Sequence, residues 1–167
     1  MNAETMENRV MPVQRLREQL LGLRQDGKKI VFTNGCFDIL HPGHVFYLEQ
    51  ARALGDVLVV AINSDQSVHR LKGNDRPVHE QTVRALMLSA LRSVDYVTVF
   101  DDPDPLKLIA LLEPDILVKG GDWRRQDIVG RELVEARGGR VLSLPFVGNY
   151  STSNIIADIV SRFCPPG

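Results

Sequence analysis

The 167-residue chain has only two cysteines, Cys36 and Cys164. They form no metal-type pair and no disulfide framework, so both are expected as reduced thiols. No apolar run approaches the ~18 to 20 residues of a membrane span, and the opening MNAETMENRV is too polar for the core of a signal peptide. A cytoplasmic location with no membrane partner is expected. Charge of either sign is not in excess: 20 basic against 21 acidic residues leave a formal net charge of -1, and nothing general draws the chain toward nucleic acid. The dinucleotide fingerprint G-x-G-x-x-G is absent after the first strand, and so is the Walker pattern G-x-x-x-x-G-K-[ST], which supports neither a dehydrogenase nor a P-loop enzyme. Cys36 has no Cys-His-Asn setting and no serine sits in a strand-to-helix elbow, so no covalent nucleophile is in view. Internal repeats and low-complexity segments are also missing.

What is present is a regular alternation. KKIVFTN (28–34), DVLVVAIN (56–63), VDYVTVF (94–100), DILVKG (115–120) and RVLSLPF (140–146) are short, nearly continuous apolar runs, the signature of strands buried on both faces of a parallel sheet. Helical spacing falls between them. One helix runs from Pro42 to Leu54 with Val45, Leu48 and Ala51 in phase, and another passes through Thr82, Ala85, Leu86 and Leu91. A short one, LKLIALLEP, has Asp104 as its expected N-cap and Pro105 at its first position. Others follow around 128–136 and from Ser151 to Phe163, while SDQSVHRLKGNDRPVHE reads as a long polar connection. The expected fold is therefore α/β, a doubly wound, Rossmann-like five-stranded parallel sheet of order 3-2-1-4-5 with helices on both faces. One domain is expected at 28–163, preceded by an N-terminal helical extension (1–27) whose amphipathic helix, PVQRLREQLLGLRQD, packs on the domain or on a partner subunit.

In open sheets of this kind ligands bind beyond the carboxyl ends of the strands, where strand order reverses. The unusual residues gather in those loops: TNGCFDILHPGH, NSDQSVHRLKGNDRP, VKGGDW and PFVGNYSTSN. His41 and His44 flank Pro42 and Gly43 at the opening of a helix, where backbone N–H groups attract anions and a small residue admits a phosphate. A metal would need a third ligand, which His69 and His79 do not supply at any recognisable spacing, so no metal site is expected. An ordinary helix-cap histidine beside a surface one is the plainer alternative. Lys72, Arg76, Arg84, Arg92 and Lys119 are the basic residues placed to join them, with Gly73 freeing and Pro77 ending a loop that can close over a polyphosphate. For Arg92 a surface ion pair is an equal reading. Ser151 to Ser153 offer hydroxyls and backbone donors at another helix start, where simple capping would need only one. Gly120 and Gly121 let the backbone approach a nucleoside, Asp122 is able to bond it, and Trp123 is a lid or a cover for apolar surface.

GCFDILHPGH, LKGNDRPV, VKGGDW and STSNII, in this order, resemble the nucleotidyltransferase superfamily with the His-x-Gly-His motif. They are most similar to the adenylyltransferase domain of bacterial ADP-heptose synthesis enzymes, over most of the chain from about Lys28. The resemblance implies transfer of AMP from ATP to D-glycero-β-D-manno-heptose 1-phosphate, giving ADP-heptose and pyrophosphate for lipopolysaccharide core precursors. It implies phosphate contacts from His41, His44 and Lys72, and Ser151 and Thr152 on the β and γ phosphates. Asn34, Gly35, Phe37, Gly120 and Asp122 would line the nucleotide, and Asp38, Arg76 and Arg84 the sugar-phosphate side. Mg²⁺ is expected on the phosphates of ATP, not in a protein cage.

Two departures bear on the substrate. PFVGNY lacks the Arg-Thr-x-Gly-Ile stretch of glycerol-phosphate cytidylyltransferases, and Ser153 stands where the heptose enzymes usually have a second threonine. Only 27 residues precede the first strand, so the heptose kinase, like the phosphatase that follows it, is expected as a separate protein. A homodimer is implied by the family. The alternatives are a cytidylyltransferase acting on a small phospho-alcohol such as glycerol 3-phosphate, and a nucleotide-binding module without catalysis.

Overall fold

A computed structural model describes residues 8–121, 123–145, 148 and 150–164. Along the chain run α1 (Val13–Gln25), β1 (Ile30–Gly35), α2 (Pro42–Arg52), β2 (Val57–Asn63), α3 (Asp65–Lys72), α4 (Gln81–Ser89), β3 (Tyr96–Phe100), α5 (Leu106–Leu112), β4 (Ile116–Gly120), α6 (Arg131–Ala136), β5 (Arg140–Leu144) and α7 (Thr152–Phe163). The five strands form one parallel sheet in the order β3-β2-β1-β4-β5. Strand order therefore reverses between β1 and β4, and Gly35 and Gly120 end on either side of that crevice.

The alternation of side chains along each strand divides the core in two. Ile30, Phe32, Val57, Val59, Ala61 and Leu117 point to one face, where Leu16 and Leu20 of α1 meet Leu108, Ile109 and Leu112 of α5. Val31, Leu58, Val60, Ile62 and Val118 point to the other, against Tyr47, Leu48 and Ala51 of α2 and Ala85 and Leu88 of α4. The buried stripe of α2 is shifted from the expected one, since Val45 lies outside at 38% exposure and Tyr47 is turned in.

The N-terminal helix belongs to the first of these cores. Ahead of it, residues 9–11 run beside β3, with Met11 N donating to Val97 O and Val97 N to Arg9 O, which covers the edge of that strand. α3 replaces part of the polar connection expected after β2. Ser64 caps it through an Oγ that accepts from Ser67 N, and Val68 is its one buried aliphatic side chain. At α5 the cap lies one residue later than expected, with Pro105 at the N-cap position and Asp104 Oδ1 accepting from Leu106 N at 2.8 Å. The apolar side chains Ile159, Val160 and Phe163 of α7 are exposed. Among the described residues no helix is long and apolar enough to cross a membrane.

Because Leu20 is fully buried between α1, α5 and the sheet, Leu20→Ala is expected to destabilise the whole domain by about 3 kcal/mol, as a core cavity does. Urea unfolding followed by circular dichroism measures it; a change below 1 kcal/mol would make α1 an appendage.

Candidate active site

The loops after β1, β2 and β4 and the start of α7 enclose a cleft over the β1/β4 crevice. Its larger section, about 320 Å³, is lined by Phe37, Asp38, His41, His44, Lys72, Arg76 and Tyr150–Ser153. A second section of about 170 Å³ is lined by Asn34, Gly35, Tyr47, Lys119 and Gly120. Cys36, Phe37 and His44 are the wall common to both.

α2 begins at this wall. His41 is its N-cap residue in extended conformation, Pro42 follows, and no side chain caps the helix start. The two imidazoles stack with centroids 3.7 Å apart and planes inclined at 20°. A Cβ on Gly43 would stand 3.0 Å from His41 Nδ1, so the glycine is what lets the rings take these places. Phe37 has φ of 47°, in the left-handed region, a strained conformation for a residue with a side chain. Its ring lies 5.1 Å from that of His44, and a Cβ on Gly35 would touch it at 3.1 Å.

The Nδ1 atoms of His41 and His44 are buried without a hydrogen-bond partner. Burial pushes the His44 pKa down to about 4, with a smaller contribution from His41, and burial also lowers that of His41. Both rings are neutral near pH 7, and each has a buried polar atom that the fold leaves unsatisfied, an unusual condition in a folded protein. An arriving polyphosphate would favour their protonated forms.

The hydroxyl cluster is partly used by the fold. Ser151 Oγ accepts from Asn154 N at 3.1 Å as the cap of α7, and Thr152 donates to Ile39 O at 3.4 Å, fastening α7 to the histidine loop. Tyr150, which sequence reasoning passed over, lies beside His41 with ring centroids 6.4 Å apart. Tyr47 was also missed. It bonds Thr33 Oγ1 at 2.5 Å and donates to Val118 O at 3.2 Å, tying α2 to the two central strands.

Of the residues expected on the sugar-phosphate side, the structure brings Asp38 and Arg76 to the cleft but commits them to each other. Arg76 Nε donates to Asp38 Oδ2 at 2.5 Å, while Asp38 Oδ1 accepts from Val78 N and His79 N at 2.8 and 3.1 Å. Burial would raise the Asp38 carboxyl, but these hydrogen bonds outweigh it and hold it below the ordinary carboxylate value. Arg84 is not brought to the cleft at all. It is fully buried and gives its N–H groups to His79 O, Cys36 O, Asn63 O and Asp65 Oδ1. It joins the ends of β1 and β2 in place of touching a substrate. Arg92 pairs with Glu49 on the surface. Asn34, Gly35, Phe37 and Gly120 line the cleft, and Asp122 lies outside the described residues. Among the described residues no three metal-ligating side chains are gathered, and the donors around Asp38 leave it no free oxygen pair for a cation.

Fold and site together define a Rossmann-like α/β domain whose cleft opens at the switch point between β1 and β4. The chain belongs to the cytidylyltransferase-like family, which residues 32–157 match. It is 61% identical over 137 residues to the bifunctional protein HldE of Citrifermentans bemidjiense, across 82% of this chain and 28% of that protein. With HldE of Syntrophotalea carbinolica the identity is 54% over 153 residues, across 89% and 31%. The chain thus spans less than a third of the length of these curated relatives. The lipopolysaccharide core biosynthesis protein of Thermoplasma volcanium superposes with a TM-score of 0.59 at 31% identity, across 75% of this chain and 100% of that one. Pantothenate synthetase of Thermus thermophilus shares the fold, with a TM-score of 0.58 at 20% identity across 88% of this chain and 67% of its own.

Two measurements follow from this geometry. Arg84→Met should lower stability by about 3 to 5 kcal/mol, because it strips partners from three backbone carbonyls and a carboxylate; an unfolding curve like the wild type's would show that the arginine does not hold the strand ends. The pH dependence is set by His44. Its folded pKa of about 4 lies below the unfolded value of 6.5, so the unfolded state binds more protons between them and stability is lost as pH falls from about 6.5 to 4. His44→Gln should flatten that part of a plot of unfolding free energy against pH, and an unaltered slope would assign the acid sensitivity elsewhere.

Proposed function

We propose that the chain is a nucleotidyltransferase that moves AMP from ATP to D-glycero-β-D-manno-heptose 1-phosphate, releasing pyrophosphate and ADP-heptose for lipopolysaccharide core synthesis. The observation that carries this reading is the convergence of His41, His44, Lys72 and Ser151–Ser153 on one section of the cleft, around a helix start that no side chain caps. The match to proteins named HldE and to a lipopolysaccharide core biosynthesis protein supports the heptose substrate.

In this reading an oxygen of the sugar phosphate attacks the α-phosphorus of ATP in line, and the bond to the β-phosphate breaks. The protein contributes position and charge. His41 and His44 contact the α- and β-phosphate oxygens and stabilise the charge that builds there, aided by the uncapped N–H groups of α2. Lys72, exposed at the end of α3, closes over the triphosphate. Ser151 and Thr152 hold the departing pyrophosphate at the start of α7. Gly35, Phe37 and Gly120 line the nucleoside side, and Asn34 stands at the edge of that section beside Lys119. Mg²⁺ would arrive on the triphosphate and neutralise part of its charge. Heptose kinase and phosphatase activities supply the acceptor, and a homodimer is part of the proposal.

ATP with the β-anomer of the heptose 1-phosphate is expected to release pyrophosphate and form the ADP-sugar, whereas CTP with glycerol 3-phosphate gives almost none. His44→Ala should keep the fold and lower turnover by about 10² or more, the scale of losing one transition-state donor. A coupled pyrophosphate assay with mass detection of the nucleotide sugar measures both. Equal use of CTP and glycerol 3-phosphate would overturn the heptose assignment, and binding of ATP without any transfer would leave a nucleotide-binding module.

A further inference from the structure

Four basic side chains stand in or behind the cleft. Arg84 and Arg76 are spent on the fold, and Lys72 is exposed in the larger section. Lys119 differs from all three. It is the penultimate residue of β4, in the smaller section, and its Nζ lies 3.3 Å from both the backbone O and the side-chain Oδ1 of Asn34. The same Nζ is 5.7 Å from the centroid of the Trp123 ring. Among the described residues it makes no ion pair, and burial lowers its pKa, with only the Cys36 thiol opposing. An ammonium placed in low dielectric without a carboxylate is unfavourable. Packing does not ask for it, because Leu117, two residues earlier on the same face, is an ordinary core leucine. Such a cation is tolerable where an anion comes to meet it.

The chemistry of the proposed reaction says which anion. In an in-line displacement the attacking and leaving oxygens lie on opposite sides of the phosphorus. With pyrophosphate leaving toward Lys72 and Ser151–Ser153, the attacking oxygen arrives from across the His44 wall, where Asn34 and Lys119 stand. That oxygen belongs to a phosphomonoester, negatively charged like the triphosphate it approaches. A cation on the entering side offsets the repulsion.

We propose that Lys119 is the acceptor-phosphate residue, its ammonium held by Asn34 and binding the phosphate of the incoming sugar 1-phosphate. This deepens the nucleotidyl-transfer reading and rests on it. One new bond forms between the acceptor phosphate oxygen and the α-phosphorus, the α–β P–O bond breaks, and pyrophosphate leaves with the electron pair. Lys119 transfers no proton.

Lys119→Met and Lys119→Arg test the idea with three readouts. In steady-state kinetics Lys119→Met should raise KM for the sugar 1-phosphate about 10- to 100-fold, the range for a lost hydrogen bond to a charged group, and leave KM for ATP within about threefold; Lys119→Arg should recover part of the loss. In thermal melting Lys119→Met should match or exceed the wild type, since a half-buried charge without a carboxylate partner is gone; a clearly lower Tm would make the lysine structural. The third readout needs no turnover. Trp123 is the only tryptophan, so its fluorescence should respond to a hexose 1-phosphate in the wild type and not in Lys119→Met. Equal loss of ATP and sugar-phosphate use would move Lys119 to the nucleotide and overturn the proposal, as would a fluorescence response absent from the wild type or unchanged in the variant. A wild type that responds to the sugar phosphate through Lys119 yet releases no pyrophosphate with any nucleotide would instead break the transfer reading and keep the phosphate site.

Discussion

The buried guanidinium of Arg84 is the interaction on which the cleft depends. From α4 it reaches under the sheet edge and gives four of its five N–H donors to Cys36 O after β1, Asn63 O at the end of β2, His79 O in the loop before α4, and Asp65 in the first turn of α3. Carbonyls at strand ends have lost their ladder partners and would otherwise need water. Here one planar cation satisfies two of them, together with the loop carbonyl of His79, and fixes their spacing. Asp38 repeats the device on a smaller scale, since its carboxylate gathers Arg76, Val78 N and His79 N. The loop carrying Gly73 and Pro77 is thus tied down at its far end, which sets where Lys72 enters the cleft.

With these groups committed, the unsatisfied ones become conspicuous. Of the helices that border the cleft, α3 and α7 are capped by Ser64 and Ser151, whereas α2, like α1, α4, α5 and α6, starts without a side-chain cap on its N-cap residue. α2 alone presents there two stacked, neutral imidazoles with orphaned Nδ1 atoms. Phe37 holds a left-handed backbone and Gly43 leaves out a side chain so that this arrangement fits. At this wall a strained backbone and two unmet hydrogen bonds stand side by side, although Arg24, Ser93, Thr98 and Arg131 also bury an unpaired polar atom and Glu113 is also left-handed. Such a preset arrangement lets a site meet a highly charged ligand with little reorganisation.

Most of the sheet was legible in the sequence because each strand is a continuous apolar run and each connection breaks on glycine, proline or an acidic turn. The strand order followed from the rule for doubly wound folds, and the motif loops follow the strands that border the switch point. α3 was not legible: DQSVHRLK has a single buried aliphatic residue, Val68, and no apolar stripe to set a period. Its one local signal is Ser64, whose capping bond to Ser67 N is common in plain turns as well. The fixed partners of Arg84 and Asp38 were not legible for a different reason. Their partners lie 5 to 48 and 38 to 41 residues away, and no periodicity reveals which backbone carbonyls a fold will leave unpaired.

The charges near the cleft therefore fall into two groups that sequence alone cannot separate. Arg76 is paired with Asp38 and Arg84 with Asp65 within the protein. Lys72 and Lys119 lack such partners among the described residues and stand in different sections of the cleft, across the wall that carries His44. A ligand charged at one end only would need one of them. A reaction that brings a phosphate against a triphosphate places negative charge on both sides of the same phosphorus, and cations on opposite sides of His44 match that distribution.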